Sequence, residues 1–125
     1  MPILREAERY ALAISQLDFK TARGISSPEN IRFLEALVKP KFAYWTSKSG
    51  LSKLTFSSVK FDNALLVNEN LDDLIVTEIL NFPHPITGCQ GFYLKFNIKK
   101  VGNRFRVENT DLIEKTSEKG LMEHD

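Results

Sequence analysis

Apolar positions recur along this chain with two different periods, and the change from one to the other falls near Gly50. Ahead of it, Ile3, Ala7, Tyr10, Ile14 and Leu17 follow alternating spacings of four and three. That spacing predicts one face of an amphipathic helix, with Arg5, Glu6, Glu8, Arg9 and Gln16 largely off it. Pro2 suits the first turn, where its missing N–H costs nothing. Asp18 either ends this helix or caps a short continuation that stops at Gly24. Ser27-Pro28-Glu29 is a second helix start, with a hydroxyl cap, proline at the first helical position and an acid facing the dipole. Ile31, Leu34, Leu37 and Val38 give its buried stripe, and Pro40 is expected to close it. Phe42, Tyr44 and Trp45 then predict a short helical turn running into a loop.

Beyond Gly50 the pattern is strand-like. Leu54 and Phe56 alternate with Thr55 and Ser57, then Val59 and Phe61 take the apolar role after a phase slip that predicts a bulge or bend at Ser57-Ser58. A turn at Asp62-Asn63 leads to a short strand over Ala64–Val67 and a polar connection over Asn68–Asp73. The near-continuous apolar run from Leu74 to Phe82 predicts a strand covered on both faces for part of its length. Pro83-His84-Pro85 cannot continue a central ladder, so a loop is expected to run to Gly91. From there Phe92, Leu94, Phe96 and Ile98 alternate with Tyr93, Lys95, Asn97 and Lys99. Gly102-Asn103 supplies a tight turn, and Phe105 and Val107 resume the alternation on the return strand. The hairpin Gly91–Thr110 therefore has one greasy face and one basic face.

Helices first and strands second make an α+β domain. A curved antiparallel sheet wrapping the N-terminal helices would bury both apolar sets. One domain over 1–115 is expected, with a polar, unpatterned and frayed tail over 116–125.

Composition narrows the function classes. Basic and acidic residues nearly balance, 17 against 16, so no global field favours nucleic acid or an anionic membrane. The C-terminal hairpin is nonetheless locally basic and the middle of the chain locally acidic. One cysteine, Cys89, cannot form an internal disulfide, which fits a reducing compartment. No run approaches the ~20 apolar residues of a spanning helix, and the first residues do not read as a signal peptide. A cytoplasmic location is the expectation.

The chemistry-bearing residues are scattered. His84 offers an imidazole, suited to proton transfer near neutral pH, held between two prolines; with no partner motif, an ordinary loop histidine is the stronger reading. His84 and Cys89 do not amount to a metal site, and neither a metal nor a cofactor is expected. Asp18 and Glu78 are the candidate bases, since a carboxylate deep in a pocket needs its pKa raised by burial. Glu78 interrupts an apolar run, and pairing with a hairpin lysine is the favoured alternative for it. The acidic Asn68–Asp73 stretch lacks the glycine and spacing of a calcium loop. Tyr10, Ile14, Trp45 and His84 are the candidate pocket lining. Lys95, Lys99, Arg104 and Arg106, with Tyr93 available for stacking, form the candidate nucleic-acid face. The near-zero net charge favours a soluble exterior instead.

Gly102-Asn103-Arg104-Phe105-Arg106-Val107 resembles the turn and last long strands of the nuclear transport factor 2-like superfamily, with Phe105 where a tryptophan is usual. Leu17-Asp18-Phe19 followed by Ala22 is similar to that family's passage from first to second helix. Ser27-Pro28-Glu29-Asn30 looks like the second-helix start of the soluble domain of a type IV secretion and conjugation assembly factor, whose membrane helix has no counterpart here. The resemblance implies a cone-shaped α+β fold, a pocket closed by the helices and dimers through the convex sheet face. It also points to ketosteroid-isomerase-like enzymes. The expected function is a non-catalytic binding or assembly module, acting on a homodimer partner, another protein or a small apolar ligand. A cofactor-independent isomerase or hydrolase for an apolar molecule is the second reading, and nucleic-acid binding through the basic hairpin face the third.

Overall fold

A computed structural model describes residues 2–62 and 72–116. The expected strand at Ala64–Val67, most of the polar connection before Asp72 and the tail from 117 lie outside the described residues. The order is α1 (Pro2–Ser15), α2 (Phe19–Gly24), α3 (Pro28–Phe33), a π-helical segment (Leu34–Val38) and α4 (Lys39–Ser49). Among the described residues four strands follow: β1 (Ser58–Asp62), β2 (Asp73–Ile86), β3 (Cys89–Val101) and β4 (Arg104–Thr116). They form one curved, open antiparallel sheet in the order β1-β2-β3-β4, a plain meander. The molecule is therefore α+β, with helices preceding the sheet.

Helix α1 buries Ile3, Ala7, Tyr10, Ala11 and Ile14, the face that its periodicity implied, against β2 and β3. It stops before Leu17, which takes a left-handed conformation at φ 59°. The Leu17 N–H donates to the Ile14 carbonyl and the Asp18 N–H to the Ala13 carbonyl, the paired bonds of a Schellman stop. Leucine in place of the usual glycine costs about 1–2 kcal/mol; Leu17 offsets part of this by packing, half-buried, on the core. Asp18 caps α2, and Ser27 caps α3 by accepting from the Asn30 N–H at 3.1 Å.

Pro40 does not close a helix. The chain stays helical to Ser49, and Gly50 ends it at φ 70°. The wider π turn over Leu34–Val38 immediately precedes the proline. It absorbs the missing donor and the ring's clash with the preceding turn. The expected short turn and loop after Lys41 are therefore the body of α4. Its Phe42 is buried against Phe19, Phe56 and Phe92, with ring centroids 5.4–6.2 Å apart.

Strand β2 alternates strictly: Leu74, Val76, Glu78, Leu80 and Phe82 are buried, while Ile75 and Ile79 are not. The expected double-sided burial is thus corrected to one covered face. The expected loop from Pro83 to Gly91 is also corrected, because β2 runs to Ile86 and turns at Thr87-Gly88 into β3. Both turn residues have positive φ, 48° and 80°. The prolines are tolerated because the β2–β3 register shifts between Asn81 and Ile86, where no ladder donor is required of them. The second hairpin forms as expected, with Val101 opposite Arg104 across a turn carried by Gly102 at φ 63°. A register shift between Asn97 and Ile98 leaves Glu108 as an extra residue on β4.

Candidate functional site

Tyr10, placed at the pocket by its sequence, is instead part of a closed polar knot in the core. Its hydroxyl lies 2.6 Å from Thr110 Oγ1, and Thr110 Oγ1 donates to Asn30 Oδ1 at 2.7 Å. Thr110 has one proton and spends it on Asn30, so Tyr10 donates to Thr110. Asn30 Nδ2 completes the ring by donating to the Tyr10 hydroxyl at 3.0 Å, and it also reaches Ser26 Oγ at 2.8 Å. Ser26 Oγ in turn donates to the Ala22 carbonyl. Burial raises the Tyr10 pKa, and its hydrogen-bonding interactions with Thr110, Asn30 and Ser26 oppose that only in part. This knot joins α1, α3 and β4 and fills the space it occupies. Ile14, the neighbouring pocket candidate, is wholly buried in the core as well.

Asp18 is exposed and committed to its cap. Its Oδ2 accepts from the Thr21 hydroxyl at 2.6 Å and its Oδ1 from the Thr21 N–H at 3.2 Å. The Thr21 hydroxyl bond is the main cause that lowers its pKa, opposite to what a general base needs.

Glu78 is the chemical anomaly of the molecule. It sits on the covered face of β2, opposite Leu94 on β3 and in register with Phe61 on β1, and only 1% of it is exposed. Its Oε2 has no hydrogen-bond partner. Burial alone pushes its pKa up to about 8, so the carboxyl is protonated at neutral pH. The expected pairing with a hairpin lysine does not occur: Lys95 and Lys99 are on the opposite face of the sheet.

His84 is exposed at the bulged end of β2, and it lines an apolar cleft of about 240 Å³ with Leu51, Leu54, Phe82, Pro83 and Ile86. Trp45 reaches the same end of the molecule, half-buried, with its ring 6.4 Å from that of Phe82. Cys89 is buried, its thiol donates to the Gly91 carbonyl at 3.2 Å, and burial raises its pKa. It is therefore a packed thiol rather than a nucleophile partnered by His84. The catalytic candidates do not converge. Asp18 is on a helix start, Glu78 is under the helices, and His84 is six residues further along β2, on the order of 20 Å for extended chain.

The basic candidates also separate. Lys95 and Lys99 are exposed on the uncovered outer face, with Lys95 directly opposite Asp111. Arg106 turns over the sheet edge to donate to the Ser26 carbonyl at 3.3 Å, and Arg104 is at the tip of the hairpin. Among the described residues, no three of His, Cys, Asp and Glu gather as a metal site. Nor is any described helix long and apolar enough to cross a membrane.

The outer sheet face, which sequence reasoning treated as basic, is apolar along one line. Ile79 is opposite Tyr93, and Tyr93 is opposite Ile113, so three strands contribute one continuous row. Ile113 is 41% exposed and Ile75, two residues before Thr77 on the same face, 57% exposed. The signal was present in the alternation, since Ile75 and Ile79 are out of phase with the covered residues.

No protein-family model matches this chain, and no curated protein sequence matches it.

Proposed function

We propose that this protein is a non-catalytic assembly module that pairs with a second copy of itself through the outer face of its sheet. The observation that carries this reading is the Ile79–Tyr93–Ile113 row, flanked by Ile75, on a face that no described helix covers. Exposed aliphatic side chains in a contiguous line favour burial against another surface. The neighbouring row supplies self-complementary charge, with Lys95 opposite Asp111. A two-fold axis lying parallel to the strands between β3 and β4 would set Lys95 of each copy over Asp111 of the other. The same rotation would set Tyr93 over Ile113, in the aligned packing that twisted sheets prefer. Helices followed by a curved antiparallel sheet also support the nuclear transport factor 2-like cone.

Sedimentation equilibrium tests the reading. The wild-type chain should form a dimer in the micromolar range, and Ile113→Lys should be monomeric with an unchanged melting profile. Lys95→Asp should weaken the dimer, and the swap Lys95→Asp with Asp111→Lys should restore it. A wild-type chain that stays monomeric at several hundred micromolar would overturn the proposal.

A second reading concerns a ligand. The apolar lining of the His84 cleft favours a small, largely hydrophobic molecule with one hydrogen-bonding group for the imidazole. Perturbation of His84 and Phe82 resonances by an aromatic fragment library, lost on Leu54→Trp, is the expected result.

A further inference from the structure

A separate cleft of about 500 Å³ opens where the start of α1, the end of α2 and the β3–β4 turn meet. Arg5, Glu6 and Arg9 reach it from α1, and Asn103, Arg104 and Phe105 from the turn. Three guanidinium charges therefore share the space with one carboxylate. Glu6 lies 3.6 Å from Arg9 and balances that charge in part. Neither Arg5 nor Arg104 has a hydrogen bond or ion pair among the described residues. Two unpaired guanidiniums from opposite ends of the chain thus line one concavity, an arrangement whose mutual repulsion an anion between them would relieve.

The remaining lining is of a different character. Ile25 is buried, and the half-buried Phe105 packs on the core. Gly24 also lines the cleft, and a Cβ built there would meet nothing within 4 Å. The site thus combines planar, forked donors suited to phosphate oxygens with an apolar side and an unfilled space at Gly24.

We propose that this cleft binds a small phosphomonoester, with Arg5 and Arg104 holding the phosphate oxygens and the organic ring resting on Phe105. A polyanion fits less well. Lys95 and Lys99 face away on the outer sheet surface, Lys95 opposes Asp111, and Arg106 is engaged with the Ser26 carbonyl. Among the described residues, these side chains make no continuous basic track from the cleft for a nucleic-acid backbone to follow.

Isothermal titration with phenyl phosphate, inorganic phosphate, phenol and a thymidine oligonucleotide tests this. Phenyl phosphate should saturate one site and bind more tightly than inorganic phosphate or phenol. The double variant Arg5→Ala, Arg104→Ala should weaken it by about tenfold or more, the usual scale for charge-assisted hydrogen bonds. Gly24→Leu keeps all three guanidiniums and introduces no clash at its Cβ, so it should fold normally and lose binding by filling the cleft. Absence of saturable phenyl phosphate binding to the wild-type chain would overturn the proposal. So would wild-type affinity retained in both variants, or oligonucleotide binding with a steep salt dependence where phenyl phosphate does not saturate.

Discussion

The hydroxyls of Tyr10 and Thr110 lie 2.6 Å apart across one hundred residues of chain, and Asn30 closes the ring between them. The first helix and the last strand are thereby tied through the start of α3. Every donor and acceptor in the knot has its partner inside the protein, which makes removal of a single member costly.

Asn30→Ala should lose about 3 kcal/mol of stability, because Tyr10, Thr110 and Ser26 would each lose a buried partner. Tyr10→Phe should cost less, about 1–2 kcal/mol, since it strands one amide proton of Asn30 and removes the donor to Thr110. Urea unfolding of the two single variants and their combination measures this. The double variant should be clearly less destabilised than the sum, the mark of a shared network. Additive losses would argue against it.

Glu78 predicts an unusual stability profile. Its ordinary pKa is 4.5 and its folded value about 8, so the folded state holds a proton that the unfolded state releases earlier. Stability is full below the unfolded value and is lost progressively as pH climbs through the folded one. The total across that window is on the order of a few kcal/mol. Urea midpoints between pH 5 and 9 should fall for the wild-type chain, and Glu78→Gln should remove that fall while keeping the side chain's shape. Parallel pH profiles for the two chains would dismiss the assignment.

Gly91 marks a close backbone approach in the sheet. It has φ 146°, and a Cβ there would lie 1.9 Å from the Leu80 carbonyl oxygen. Gly91→Ala should therefore destabilise the protein by roughly 3 kcal/mol or more, as backbone strain of this kind does when no flexible neighbour can yield. Hydrogen exchange should show the Leu80–Gly91 end of the hairpin opening while the Gly102 turn stays protected. A variant as stable as the wild-type chain would show that the two strands can separate freely here.

Much of the architecture was legible because it rests on local rules. The hairpin from Phe92 to Val107, the Ser27 cap and the buried stripe of α1 each follow from periodicity or cap chemistry. The failures came where a local rule met a compensating irregularity. Pro40 does end an ideal α-helix, but a wider turn ahead of it removes the conflict, and the aromatic contacts of Phe42 stabilise the continuation. Pro83 and Pro85 were barred from a regular ladder, and they occupy an irregular one.

The site was less legible for a different reason. Glu78 was read by its residue type, although its position two residues from both Val76 and Leu80 already put it on the covered face. Asn30 lies one turn before Leu34 and so shares its buried side. The convergence of Arg5 with Arg104 had no sequence signal, because only the closing of the fold brings the two ends of the chain together.

The π segment at Leu34–Val38 also sets the phase of everything that follows it in the helix. One residue more than an α-helical count passes before α4 begins, which turns the later side chains by about 100° relative to those of α3. Phe42 meets the sheet because of that offset. A chain shortened by one residue at Glu35 or Ala36, both exposed, would lose that offset, swing Phe42 away from Phe92 and bring back the clash of Pro40 with the turn before it. The length of this stretch, more than its composition, is thus what aligns the two halves of the aromatic core.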